Sequence, residues 1–145
     1  MSQQISKKNM GPKKLGYMTS PKKSHTNNFN TILGDTNKGP LVNPSNYSNM
    51  QNKNPENLTA CILDRPRHKE IIEQLTKLNV KLKLITDGDV SGALLVSNEK
   101  YKVDIFLGIG GGPEGVLAAS ALDSFGCFFQ GRFLFDNDND KLRAK

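Results

Sequence analysis

The chain has 145 residues and a formal net charge of +6, and it contains two cysteines. This length suits one domain of ordinary size, and two cysteines in apolar surroundings predict buried thiols, with neither a disulfide framework nor a Cys-based metal site. The sequence contains no apolar run near the roughly 20 residues that a transmembrane helix needs and no signal-peptide pattern. We therefore expect a cytoplasmic protein without a membrane partner.

The first 56 residues differ in composition from the rest. They carry eight lysines and two acids, which together account for the whole net charge. They are rich in Asn, Lys, Ser, Gly and Pro and sustain no helical or strand period, so we expect a mostly disordered segment. Because the basic residues belong to this segment, the composition does not predict a nucleic-acid partner. A basic arm that binds nucleic acid with strong salt dependence and a divergent piece of fold stay as alternatives.

A regular pattern of apolar runs begins near residue 57. It predicts strands at residues 58–63, 80–86, 103–107 and 128–134, and helices at residues 68–78, 90–96 and 113–125. The order β-α-β-α-β-α-β predicts an α/β fold with a parallel sheet and right-handed crossovers. We expect this domain to span residues 57–135, and residues 136–145 to form a frayed terminus.

Three polar loops follow the first three predicted strands, at residues 64–68, 87–89 and 108–115. Ligands of parallel α/β sheets bind outside the carboxyl ends of the strands, so we expect the three loops to line one crevice. Together they supply two arginines, aspartates, a glycine-rich turn and a glutamate. This composition is typical of a phosphosugar site.

In the first loop, Arg65 and Arg67 flank Pro66. The proline stiffens the turn, and the planar guanidinium fork suits a phosphate. An Arg-Pro-Arg triplet is also common on protein surfaces. His68 opens the following helix, and we interpret it as a helix residue with no part in catalysis.

The second loop is Asp87-Gly88-Asp89. Its carboxylates can accept hydrogen bonds from sugar hydroxyls or approach a cation. The structural alternative is a turn at Gly88 with an aspartate as helix cap, and this interpretation suits Asp89 particularly well.

The third loop holds five glycines between Gly108 and Gly115. They allow a close approach of backbone to ligand, and the helix N-terminus that follows favours an anion. The loop lacks the Lys-Ser/Thr ending of a Walker loop and fits G-x-G-x-x-G poorly. Glu114 is the best-placed ligand for a hard divalent cation, although the helix dipole also favours a glutamate there.

These motifs resemble the later half of class II fructose-1,6-bisphosphatases, which in cyanobacteria also act on sedoheptulose-1,7-bisphosphate. The resemblance covers residues 58–134. It is carried by Leu63 to His68, by Asp87 to Val90, by Gly108 to Val116 and by Gln130-Gly131-Arg132.

The resemblance implies the C-terminal half of a lithium-sensitive sugar-phosphatase fold and a Mn²⁺- or Mg²⁺-dependent phosphomonoester hydrolase. Its reaction would convert fructose 1,6-bisphosphate to fructose 6-phosphate and phosphate, in gluconeogenesis and glycerol metabolism, and a homo-oligomer is expected. The substrate-binding residues would be Arg65, Pro66, Arg67, Asp87, Gly88, Asp89 and Gly111, with Glu114 as a metal ligand.

The chain also departs from the family pattern. Residues 1–56 are too short for the family's first domain and show no acidic cluster, and the chain ends soon after Arg132. We therefore expect a fragment that is inactive alone, with no catalytic residue assigned. Turnover by the pure chain that Glu114→Gln abolishes would contradict this. The alternatives are a non-catalytic phosphosugar-binding module and a Rossmann-like nucleotide module with Asp136 as its ribose-binding acid.

Overall fold

The computed structural model describes residues 14–20, 54–135, 138 and 142. The strands are β1 (Lys14–Ser20), β2 (Thr59–Leu63), β3 (Lys81–Ile85), β4 (Ile105–Gly111) and β5 (Phe128–Leu134). The α-helices are α1 (Lys69–Lys77), α2 (Asp89–Leu94) and α3 (Gly112–Ser124). Short 3-10 turns lie at Pro55–Asn57, Pro66–His68, Leu95–Ser97 and Glu99–Tyr101.

All five strands form one sheet in the order β3-β2-β4-β1-β5. Strand β2 pairs parallel with both β3 and β4, whereas β1 pairs antiparallel with both β4 and β5. Strands β2 to β5 therefore all run in one direction, and β1 runs against them. The predicted α/β class and the predicted element order after residue 57 are confirmed.

Strand β1 lies within the segment that we expected to be mostly disordered, and it was not predicted. Residues 14–20 form a strand in the interior of the sheet, and Met18, Thr19 and Ser20 are buried. Its sequence is a weak strand signal because it contains Gly16 and places the polar Thr19 and Ser20 inside. Its stability comes from packing between β4 and β5 and not from local propensity. The other residues before 54, and most of the expected frayed terminus after 135, lie outside the described residues.

The apolar core fills both faces of the sheet. One cluster lies with α1, and its buried members are Met18, Leu58, Ala60, Ile62, Leu75, Val80, Ile105, Leu107 and Phe128. The other lies with α2 and α3, and its buried members are Cys61, Leu63, Ala93, Val96, Val103, Phe106, Ala118, Leu122 and Cys127. This division follows from the alternation of side chains along each strand.

Both cysteines are free and buried, as predicted. Burial disfavours the thiolate and raises the pKa of Cys61 to about 11, and the nearby Lys83 opposes this rise. Burial also raises the pKa of Cys127. Thiols of this kind pack as small apolar groups and stay protonated near neutral pH. None of the helices among the described residues has the length and apolar character to cross a bilayer.

The strand order produces a switch point between β2 and β4. From β2 the chain crosses by α1 to β3 at the sheet edge, and it then returns by α2 on the opposite face to β4. The connections that follow β2 and β4 therefore leave the sheet on opposite faces. In open α/β sheets this divergence leaves a crevice at the carboxyl ends of the two strands, where ligands bind.

Candidate functional site

A cleft of about 450 Å³ lies at this edge of the sheet. Its lining comprises Leu63, Arg65, Arg67, Asp87, Gly88, Asp89, Val90, Ser91 and Glu114. The three predicted polar segments thus contribute to one cleft. Of the predicted site residues, Pro66 and Gly111 do not belong to this lining.

Sequence reasoning missed Leu63, Val90 and Ser91 as residues of the cleft. Leu63 is the last residue of β2. Its apolar side chain indicated a buried strand position and no contact with a ligand. Val90 and Ser91 belong to the first turn of α2, next to the predicted Asp89. The chemical roles of all the lining residues stay predictions.

Arg67 connects two sides of the cleft. Its Nε donates a hydrogen bond to the Ile109 carbonyl oxygen at 2.6 Å. Its Nη2 lies 3.8 Å from Oδ2 of Asp89, and 43% of the Arg67 side chain is exposed. A long, exposed ion pair of this kind contributes little to stability. The hydrogen bond to β4 is therefore the contact that fixes the guanidinium beside the cleft.

His68 is wholly buried at the start of α1. Its Nδ1 lies 2.8 Å from the Leu63 carbonyl oxygen, and its Nε2 accepts the Ile109 N–H at 2.9 Å. The backbone N–H of His68 donates to the Arg65 carbonyl at 2.8 Å and closes the turn that presents Arg65 and Arg67. The position of His68 before α1 agrees with its interpretation as a helix residue, but the link to β4 was not predicted.

The second polar loop turns at Gly88, whose φ of 89° lies in the left-handed region that favours glycine. The Gly88 N–H donates to Oδ1 of Asp87 at 2.8 Å, and Ser91 Oγ donates to the Gly88 carbonyl at 3.1 Å. The structural alternative, in which Asp89 caps the helix, is wrong, because Gly88 occupies the N-cap position and Asp89 is the first residue of α2. The Asp89 carboxylate instead lies beside Arg67.

The glycine run is not the loop that its composition predicted. Strand β4 continues to Gly111, and α3 begins at the next residue. Gly108 to Gly111 pair with Tyr17 to Lys14 of β1. The glycines lack the apolar alternation that marks a strand, and the partner that holds them extended is far away in the sequence. This pairing also disfavours a nucleotide-binding glycine loop, whose backbone must be open to a pyrophosphate.

Glu114 lies in the first turn of α3 and reaches the cleft beside Gly111. A Cβ atom built on Gly111 would collide with Oε2 of Glu114, whereas one built on Gly112 meets no atom within 4 Å. Gly111 has ordinary extended backbone angles. This glycine is therefore required for the space that the Glu114 carboxylate occupies, and not for an unusual conformation.

Glu114 is the predicted ligand of a divalent cation, which needs further ligands beside it. Within the described part of the chain, no group of three or more His, Cys, Asp or Glu side chains is placed to hold a metal ion. Hard divalent cations are held by several oxygen ligands. The described residues therefore do not form a metal site by themselves, and Glu114 stays a single candidate ligand.

Comparison with known proteins identifies the family. Residues 26–145 match the sequence profile of the family described as bacterial fructose-1,6-bisphosphatase, glpX-encoded. The chain belongs to this family. The resemblance inferred from the motifs is confirmed, and the bacterial fructose-1,6-bisphosphatase match reaches back into the segment before residue 57. The boundary at residue 57 stays a prediction.

Relatives of this bacterial fructose-1,6-bisphosphatase family carry the name D-fructose 1,6-bisphosphatase class 2/sedoheptulose 1,7-bisphosphatase. The protein of Microcystis aeruginosa is 37% identical over 102 residues, which are 70% of this chain and 30% of the relative. That of Synechocystis is 36% identical over the same shares. One from Synechococcus strain JA-2-3B'a(2-13) is 43% identical over 79 residues, which are 54% of this chain and 23% of the relative. The chain thus spans about three tenths of the length of these relatives.

Proposed function

We propose that the cleft binds a sugar bisphosphate, either fructose 1,6-bisphosphate or sedoheptulose 1,7-bisphosphate. The observation that carries this proposal is the lining of one cleft by two arginines and three carboxylates at the switch point of the sheet. Guanidinium groups bind phosphate through paired N–H donors. Carboxylates accept hydrogen bonds from sugar hydroxyls, so the two kinds of group match the two ends of a phosphosugar.

The proposed roles follow from these positions. Arg65 and Arg67 bind a phosphate, while Asp87 and Asp89 accept hydrogen bonds from the sugar. Pro66 contributes by stiffening the turn between the arginines, since it does not line the cleft. Gly88 contributes the left-handed turn. Gly111 contributes its backbone N–H as a hydrogen-bond donor to the substrate.

The wider activity is also a proposal, because the relatives are about three times as long as the matched segment. We propose a cytoplasmic hydrolase of the fructose-bisphosphatase class that uses Mn²⁺ or Mg²⁺, assembles as a homo-oligomer, and acts in gluconeogenesis and glycerol metabolism. When bound, the metal would supply charge for attack of water on the phosphate ester. Glu114 is the proposed ligand from this chain. We propose that the chain alone binds the sugar without hydrolysing it.

Titration calorimetry with the full chain tests the proposal directly. Fructose 1,6-bisphosphate should bind at least about tenfold more tightly than NAD, a difference of about 1.4 kcal/mol. Phosphate release with Mn²⁺ should stay at the rate without protein. Preferential binding of NAD would contradict the phosphosugar site. Metal-dependent release of phosphate, abolished by Glu114→Gln, would contradict the inactivity of the chain alone.

Gly111→Ala should weaken binding of fructose 1,6-bisphosphate by about tenfold, or about 1.4 kcal/mol. The new methyl group would push the Glu114 carboxylate from its place, because the colliding atom is the end of that flexible side chain. Stability should change little for the same reason. Gly112→Ala is the matched control, since its methyl group enters open space, and it should bind as the unmodified chain does. Equal affinity of the two variants would refute the packing role of Gly111.

A further inference from the structure

Strands β2 and β4 separate before the cleft begins. Their pairing ends at Ile62 opposite Leu107. The next residue of β4 whose N–H and C=O both face this edge is Ile109, since alternate residues of a strand direct these groups to the same side. Beyond the end of the pairing, the N–H and the C=O of Ile109 have to find other partners or stay unpaired.

Two side chains from the loop after β2 supply those partners. Nε2 of His68 accepts the Ile109 N–H at 2.9 Å, and Nε of Arg67 donates to the Ile109 carbonyl oxygen at 2.6 Å. The hydrogen-bonding pattern of the sheet is thus extended by side chains. The imidazole of His68 occupies the space between the diverging ends of the two strands.

The two ring nitrogens of His68 have opposite roles. The Leu63 carbonyl can only accept, so Nδ1, at 2.8 Å, carries the proton. The Ile109 N–H can only donate and lies 2.9 Å from Nε2, nearer than the Ile109 carbonyl oxygen at 3.3 Å, so Nε2 is unprotonated. The neutral imidazole with its proton on Nδ1 therefore joins the last residue of β2 to β4. Replacing His68 by an amide residue of suitable length can remove one of these two contacts and keep the other.

We propose that His68 is a positioning residue of the cleft, and this inference rests on the proposed function. By holding Ile109, it fixes the distance between the carboxyl ends of β2 and β4, because its ring fills the gap between them. It also holds the residue whose carbonyl oxygen anchors the Arg67 guanidinium. Gly111 lies two residues beyond Ile109, so its N–H faces the same edge of β4. His68 is not among the residues that line the cleft and acts through Ile109.

Two substitutions separate positioning from simple filling of the core. In His68→Gln, the longer amide can still accept the Ile109 N–H but loses the donor to Leu63. In His68→Asn, the shorter amide can still donate to Leu63 but does not reach Ile109. We expect His68→Asn to weaken fructose 1,6-bisphosphate binding roughly tenfold and His68→Gln less than about threefold. Only the first leaves a backbone group at the cleft unpaired, because in His68→Gln the Leu63 carbonyl oxygen still accepts the Arg65 N–H at 3.0 Å.

Ile72→Ala serves as the control for lost stability, since Ile72 lies on α1, packs against the core cluster on that face of the sheet and does not line the cleft. Its affinity should be unchanged at temperatures where the variant is folded. Equal affinity losses in His68→Asn and His68→Gln, or an equal loss in Ile72→Ala, would overturn the positioning role and leave a role in packing alone.

Amide hydrogen exchange by NMR tests the same inference without a ligand. Exchange of the Ile109 amide should accelerate at least about tenfold in His68→Asn relative to that of Leu107, and stay near its original rate in His68→Gln. If fructose 1,6-bisphosphate does not bind the unmodified chain, the proposed function fails. The positioning role of His68 is then tested by the exchange rates alone. An Ile109 amide that exchanges equally in all three proteins would overturn it.

Discussion

Met18→Asp should abolish cooperative folding of the chain, or reduce its free energy of unfolding to a small fraction of the value for the unmodified chain. Met18 is 2% exposed and lies on β1, between β4 and β5. It packs in the same core cluster as Ile62 and Leu107. An unpaired carboxylate at such a position costs several kcal/mol, and the whole stability of a domain is only about 5–15 kcal/mol.

Urea unfolding followed by circular dichroism would measure this effect. Val116→Asp is the matched control, because Val116 is 68% exposed on α3 and the same substitution there should change stability by no more than about 0.5 kcal/mol. A Met18→Asp chain that unfolds at the same urea concentration as the control would show that residues 14–20 are not a strand of this sheet.

The same variant should lose the ligand, for a reason beyond general unfolding. Strand β1 pairs with Gly108 to Gly111, and a Cβ on Gly115 would collide with Cδ2 of Leu15. Strand β1 therefore supports both the end of β4 and the first turn of α3, which carries Glu114. Part of the lysine-rich first 56 residues, namely β1, thus belongs to the structure behind the cleft.

The elements after residue 57 were predictable because their signals are local. The apolar run at residues 128–134 gave the bounds of β5, and Pro113 and Gly126 marked the two ends of α3. Gly126 adopts a left-handed φ of 67°, as a helix stop often does. Strand β1 could not be predicted in this way, because its partners begin far along the chain and its own residues carry no alternation.

The cleft was predictable from one rule of topology, which places the ends of parallel strands at one edge. That rule needed only the order of the strands and the polar residues that follow them. It could not predict how the gap between β2 and β4 is bridged. The contacts of Arg67 and His68 with Ile109 depend on where the pairing of the two strands stops, and hydrophobic patterns do not determine that point to the residue.

Arg67→Ala should weaken binding of fructose 1,6-bisphosphate by a factor of about 10 to 150, which corresponds to the roughly 1.5–3 kcal/mol of a charge-assisted hydrogen bond. Its guanidinium lines the cleft while its Nε is held by the Ile109 carbonyl oxygen. The remaining N–H groups are thus oriented before the ligand arrives. A charged group that is already held in place loses less side-chain entropy when it binds a phosphate.

Arg67→Lys distinguishes this geometry from charge alone. Lysine keeps the positive charge, but one ammonium group cannot bond the Ile109 carbonyl and present a planar fork to a phosphate at the same time. We therefore expect Arg67→Lys to lose most of the affinity that Arg67→Ala loses. If Arg67→Lys retains nearly full affinity, the positive charge at residue 67 determines the affinity and the orientation of the guanidinium does not.

Lys100→Ala is the control for net charge in the same calorimetric series. Lys100 lies in the turn before β4 and stacks over the Tyr101 ring at 4.8 Å. It is thus at the opposite end of β4 from the cleft, and its removal should change affinity by less than about twofold, since salt screens charges beyond about 10 Å. Losses of equal size in Lys100→Ala and Arg67→Ala would assign the attraction to the net charge of the chain. A loss confined to Arg67→Ala would place the phosphate at the junction of β2 and β4, beside Ile109, the residue that His68 holds.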